Sequence, residues 1–240
     1  NNVFLKEEWI MHDLKDKGIG TQAIHGGHSK NAFGALATPI FQTSTFIFDS
    51  AEQGGRRFAL EEEGYIYSRL GNPTTSVIEE KIALLEHGEM AVATSSGMGA
   101  ISSTLWTLLK AGDHVIADTT LYGCTFALLN HGLTKFGIEV TFLNTGDIEA
   151  VKAAMRPNTR IVYLETPANP NLKITDIEAV AKVAHENEYT KVIVDNTFAS
   201  PYNQNPLLLG ADVVVHSATK YINGHGDVLA GFAVGSKELI

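Results

Sequence analysis

Short apolar runs alternate with amphipathic stretches through most of the chain. Seven runs read as strands: Ala91–Thr94, His114–Asp118, Glu139–Leu143, Ile161–Glu165, Lys191–Asp195, Asp212–His216 and Gly231–Val234. Val192-Ile193-Val194 and Val213-Val214-Val215 are apolar without a break, the pattern of strands covered on both faces. Between the runs, Ser76-Val77-Ile78-Glu79 and Thr175-Asp176-Ile177-Glu178 have the spacing of helix-starting capping boxes. Behind the first box Ile78, Ile82 and Leu85 share a face, and Gly88 suits the C-cap. Behind the second, Ile177, Val180, Ala181 and Ala184 do the same. Strand–helix alternation predicts an α/β fold with a mostly parallel, seven-stranded sheet flanked by helices.

Residues 1–62 lack this texture. Gly18, Gly20, Gly26, Gly27, Gly34, Pro39, Gly54 and Gly55 interrupt every periodic pattern. The segment reads as an irregular N-terminal arm suited to packing on a second copy, and 63–240 as one large domain. Asn1–Ile10 reads as an upstream extension.

Composition narrows the class. A chain of 240 residues can bury a substantial core. Its 18 Lys+Arg against 27 Asp+Glu leave a net charge of −9, the wrong sign for general binding to nucleic acid. One cysteine, Cys124, excludes an intrachain disulfide framework and a Cys-rich zinc site. No apolar run reaches the ~18–20 residues of a membrane span. Charged residues are scattered through Asn1–Asp16, unlike a signal peptide. His25 and His28 have no flanking Cys, Asp or Glu and read as loop residues, so no metal is expected. A cytoplasmic protein without nucleic-acid or membrane partners is the expectation.

In parallel sheets ligands sit beyond the carboxyl ends of the strands. Three strand ends carry candidate chemistry. Ser96-Gly97-Met98-Gly99 follows Ala91–Thr94 and opens a helix pattern, leaving N–H groups able to cradle a phosphate or carboxylate. Asp195 ends a buried run, where a carboxylate needs a partner such as a cationic ligand nitrogen. Lys220 follows Ser217 and Thr219 beyond another run; it reads as a cleft residue whose amine could form a Schiff base. Each has a plainer reading alone: a tight turn, a loop cap, a surface lysine. Together they supply what pyridoxal 5′-phosphate needs, a phosphate cradle, a partner for the pyridine nitrogen and an amine for the aldehyde.

Five motifs in order resemble the Cys/Met-metabolism group of fold-type I pyridoxal-phosphate enzymes. They are Tyr67-Ser-Arg69-Leu-Gly-Asn-Pro-Thr74, Ser96-Gly97-Met98, Glu165-Thr-Pro-Ala-Asn169-Pro170, Asp195-Asn-Thr-Phe198, and Asp212-Val-Val-Val-His-Ser-Ala-Thr-Lys220-Tyr-Ile-Asn-Gly-His225. The resemblance runs from about Thr21 to the end. It implies that Lys220 holds the cofactor and shuttles protons, and that Asp195 pairs with its ring nitrogen. It also implies that Gly97, Met98, Ser217 and Thr219 bind its phosphate. Tyr67 and Arg69 resemble residues that reach the phosphate of a neighbouring subunit, implying a homotetramer built from dimers with shared sites. Asn169 resembles a contact of the ring oxygen, and Tyr122 a residue that stacks on the ring and protonates leaving sulfur.

Within the group, Tyr122-Gly123-Cys124 is informative. Members acting on cystathionine or on acylated homoserine usually look like Tyr-Gly-Gly there. Cys124 resembles the members that eliminate thiol from methionine, although a free cysteine is commonly just a small buried hydrophobe. The activity this implies is α,γ-elimination of L-methionine to methanethiol, 2-oxobutyrate and ammonia. Cystathionine γ-lyase or γ-synthase activity, O-acetylhomoserine sulfhydrylase activity, and a non-catalytic fragment or assembly module are the alternatives. Proton transfer near neutral pH leads us to expect lowered pKa values for Tyr122 and Lys220. The group's chains continue into a C-terminal domain carrying the arginine for the substrate carboxylate; no residue among these 240 is assigned to that role.

Overall fold

The computed structural model describes residues 14–28, 31 and 33–240. The expected extension, Asn1–Ile10, lies outside them. The chain divides into two compact units, the first ending at Leu84 and the second running from Leu85 to Ile240.

The first unit is more regular than its glycines suggest. It contains α1 (Ile19–His25), α2 (Ala51–Phe58) and most of α3 (Pro73–Leu85). His25 closes α1 and is not a loop residue. The Ser50 side chain caps α2 by accepting the Gln53 N–H at 3.2 Å. Ser76 does not start α3. Asn72 caps it, its Oδ1 accepting the Thr74 N–H at 2.8 Å, and Pro73 takes the first helical position, where its missing N–H costs nothing. Ser76 lies inside the first turn and donates to the Asn72 carbonyl. The left-handed turn after α3 falls on His87 (φ 59°), not on Gly88. Gly88 answers to packing instead: a Cβ there would come within 2.5 Å of Val234 Cγ1.

The second unit is built on one sheet. Its strands are β1 (Met90–Thr94), β2 (His114–Asp118), β3 (Glu139–Leu143), β4 (Thr159–Glu165), β5 (Lys191–Asp195), β6 (Val213–Ser217) and β7 (Gly231–Gly235). The order across the sheet is β1-β7-β6-β5-β4-β2-β3. Strands β3, β2, β4, β5 and β6 run parallel, and β7 lies antiparallel between β6 and β1. The mostly parallel, seven-stranded α/β fold is thus as expected. β2 is buried throughout, and β5 is buried from Val192 to Asp195, as its unbroken apolar run requires.

Alternate residues on these strands feed two core clusters. Ile161, Tyr163, Ile193, Val213 and Val215 pack with Ile101 and Leu105 of α4 (Gly97–Leu108). Val162, Leu164, Val192 and Val194 pack with Ile177, Val180, Ala181 and Ala184, the face expected for the second helix, α7 (Ile177–Ala184). Two shorter helices precede α7: α5 (Gly123–Ala127) and α6 (Ile148–Ala154). The N-cap of α7 is Asp176, whose carboxylate accepts the Ala179 N–H at 3.0 Å, and not Thr175, which is buried. Among the described residues no helix is long and apolar enough to cross a membrane.

Leu105 is 0% exposed. Leu105→Ala should lower unfolding free energy by about 2–5 kcal/mol. Urea denaturation should show a shifted midpoint with unchanged slope; a loss below about 1 kcal/mol would contradict the placement of this residue.

Candidate active site

The carboxyl ends of parallel strands β4, β5 and β6 meet the N-terminus of α4 around a cleft of about 700 Å³. Eight of the expected site residues line it: Gly97, Met98, Tyr122, Asn169, Asp195, Ser217, Thr219 and Lys220. Tyr67 and Arg69 belong to the first unit, where the Arg69 guanidinium stands 5.2 Å from the Tyr67 ring centroid.

The cradle begins where β1 turns into α4. Ser96 caps the helix by accepting the Gly99 N–H at 3.0 Å. The first-turn N–H groups of Gly97 and Met98 have no partner within a helix, and the helix dipole favours an anion in front of them. Gly97 also lies against β6. A Cβ at this position would sit 2.6 Å from Ser217 Cβ and 2.8 Å from Ser217 Cα. The close approach of turn and strand therefore demands glycine.

Asp195 ends β5 and is 6% exposed. It accepts the Thr197 N–H at 3.1 Å and the Thr197 hydroxyl at 2.5 Å. The same hydroxyl oxygen accepts the Ser217 N–H at 2.9 Å, so Thr197 ties the acid to the strand that borders the cradle. Burial pushes the Asp195 carboxyl up, and the bonds from Thr197 offset this only in part. Glu165, at the end of β4, pairs with Asp195 in the register and so faces the same side of the sheet. It is 5% exposed, and burial followed by repulsion from Asp195 raises its pKa to about 7. Its two oxygens accept the Tyr122 N–H at 2.8 Å and the Asn169 N–H at 2.9 Å.

Tyr122 caps α5. The preceding loop is held by Asp118 at the end of β2. This buried carboxylate accepts Thr120 N–H at 2.7 Å, Thr145 N–H at 2.9 Å and Lys173 Nζ at 2.6 Å, along with the Thr145 hydroxyl. Burial alone would raise its pKa, but the bonds from Lys173, Thr145 and Thr120 outweigh that and lower it. Cys124 is exposed, not a small buried hydrophobe, and does not line the cleft. Its thiol donates to the Tyr122 hydroxyl at 3.5 Å.

Two expectations change. The Tyr122 phenol is pushed up rather than down, first by its hydrogen bond with Cys124 and then by the sulfur's charge. Lys220 lines the cleft but is solvent-exposed, because it sits on the turn beyond β6 and not on the strand. Glu165 and Thr197 were absent from the expected set, although both lie inside motifs quoted above. Their signal was a polar residue at, or two beyond, the end of a buried strand.

Residues 20–240 match the family described as Cys/Met metabolism PLP-dependent enzyme. The chain belongs to this family. It is 73% identical over 227 residues to an L-methionine gamma-lyase of Fusobacterium nucleatum subsp. polymorphum, covering 95% of this chain and 58% of that protein. It is 66% identical to an L-methionine gamma-lyase of Treponema denticola, covering 95% of this chain and 57% of that one. Among solved structures, a putative O-acetylhomoserine (thiol)-lyase of Campylobacter jejuni with N′-pyridoxyl-lysine-5′-monophosphate superposes with a TM-score of 0.88 at 35% identity. That match covers 92% of this chain and 55% of the other. The chain thus spans a little over half the length of these relatives, and its sheet is that of a fold-type I pyridoxal-phosphate enzyme.

The residues present fit this family's cofactor. A turn that glycine alone can occupy opens onto an anion-binding helix end, and the Asp195 carboxyl, still pushed up by burial despite its bonds from Thr197, would be satisfied by a cation. Gly97→Ala should weaken pyridoxal-phosphate binding at least about tenfold, because either the turn or Ser217 must shift. Titrating the absorption of bound cofactor measures this; equal affinity would remove the cradle from the site.

Proposed function

We propose that the protein catalyses α,γ-elimination of L-methionine to methanethiol, 2-oxobutyrate and ammonia, using pyridoxal 5′-phosphate. The observation that carries the reading is the convergence in one cleft of Lys220, Asp195, the Gly97 turn and Tyr122. The preference for methionine is supported by identities of 73% and 66% to the two L-methionine gamma-lyases, against 35% to the O-acetylhomoserine (thiol)-lyase. When bound, the cofactor supplies an electron sink for charge developing on the substrate carbons.

The chain's own residues divide the remaining work. Gly97 and Met98 offer N–H groups, and Ser217 and Thr219 hydroxyls, to the phosphate. Asp195 would hold the protonated ring nitrogen, and Asn169 would meet the ring oxygen. Lys220 Nζ would be the amine that holds the cofactor and the base that moves protons at the substrate carbons. Tyr122 gives its hydroxyl proton to the departing sulfur. A phenol pushed up by Cys124 keeps that proton near neutral pH, which suits a donor. Cys124, outside the cleft lining, would favour a thioether only through its contact with the Tyr122 hydroxyl.

The reading includes a cytoplasmic homotetramer. Tyr67 and Arg69 of one copy would reach the phosphate of its neighbour. The acidic, single-cysteine composition supports the location. The assay is release of methanethiol and 2-oxobutyrate from L-methionine by the full-length protein with added pyridoxal phosphate. Equal amounts of both products are expected, and Lys220→Ala should lower the rate by at least about 10³-fold. Undiminished turnover in that variant would overturn the assignment of Lys220.

A further inference from the structure

Glu165 has no part in the chemistry above, yet it is the second buried carboxylate of the cleft. Among the described residues it forms no ion pair; the cation Lys173 is engaged by Asp118 at 2.6 Å. Its hydrogen bonds among these residues come from two backbone N–H groups on different loops. Oε2 accepts from Tyr122, after β2, and Oε1 from Asn169, after β4. One side chain therefore fixes the stations of two residues to which the proposed function gives separate tasks.

We propose that Glu165 is a positioning residue which, in its ionised form, sets the Tyr122 and Asn169 loops together, so that cofactor binding and proton donation to sulfur both depend on it. This rests on the roles given to Tyr122 and Asn169 under the proposed function. Both N–H groups need an acceptor, and an ionised carboxylate offers a strong one from each oxygen. A protonated acid keeps only a weak acceptor at its hydroxyl, and an amide puts a donor there, so either loosens one loop.

The surroundings link this to cofactor loading. Asp195 faces Glu165 from β5, Asp118 from β2, and Tyr163 from β4 itself. Two of these are carboxylates, and Asp195 is the one that opposes Glu165 most strongly. In cofactor-free protein the carboxyl is raised to about 7 by burial and that repulsion. A protonated ring nitrogen on Asp195 cancels the repulsion and favours ionised Glu165. Loading thus releases a proton from Glu165, and affinity strengthens as pH rises through about 7.

The test titrates pyridoxal phosphate into the full-length protein from pH 6 to 8, for wild type and Glu165→Gln, and follows kcat and KM of elimination. Wild-type affinity should strengthen with pH. Glu165→Gln should bind about tenfold more weakly with a flat profile, and its kcat should fall more than its KM changes. Matching pH profiles with unchanged kcat would overturn the proposal while leaving the cofactor reading intact. A wild type that binds no cofactor would overturn both. Should Glu165→Gln not fold, Glu165→Asp serves. It keeps the charge and hence the pH dependence, but its shorter side chain cannot span both loops, so kcat should still fall; unchanged kcat would count against the proposal.

Discussion

A carboxylate at the end of a strand buried on both faces is disfavoured unless something cationic meets it. Asp195 is in that position, and the two donors of Thr197, helped by His216 and the Tyr163 hydroxyl, offset the loss of water only in part. Much of the site follows from this one unfavourable charge. Thr197 spends its hydroxyl on Asp195 and its lone pair on the Ser217 N–H, which fixes β6 against the α4 turn. Glu165 lies beside Asp195 in register, and its pKa is raised by burial and then by Asp195. On the opposite face, fully buried Glu86 accepts from Asn196 at 2.7 Å and pairs with His216 at 2.5 Å, so the ends of β5 and β6 are held from behind as well. A cleft built this way is preorganised for a group with a cationic nitrogen at one end and an anion at the other.

The framework was legible because parallel strands buried on both faces have little choice of composition. Two of them, His114–Asp118 and Lys191–Asp195, have the bounds their apolar runs suggest, and so does the half-buried edge strand Glu139–Leu143. Helix starts were less legible, since Asn72 and Asp176 compete for the N-cap with Ser76 and Thr175 four and one positions away, and Pro73 decides the first case. The arm hid α1 and α2 behind their glycines: Gly18 starts α1 without a side-chain cap, and in α2, capped by Ser50, buried Gly54 makes room for Phe48.

The site was legible to the extent that it lies directly after strands. Gly97, Met98, Asp195, Ser217, Thr219 and Lys220 follow that rule. Glu165 and Thr197 obey it too, but their importance comes from lateral neighbours: β4 borders β5, and Thr197 reaches β6. Strand order is not written in a local pattern. The direction of the Tyr122 shift was hidden for a similar reason, because it depends on a thiol two residues on being turned toward the phenol.

The buried charge of Asp195 is tested most directly by comparing pyridoxal phosphate with its analogue bearing carbon in place of the ring nitrogen. Both keep the phosphate and the aldehyde, so the cradle and Lys220 treat them alike. Isothermal titration of the full-length protein should show the nitrogen-bearing compound bound at least about tenfold more tightly. Equal affinities would mean that Asp195 meets no cation, and the electrostatic logic of the cleft would be wrong.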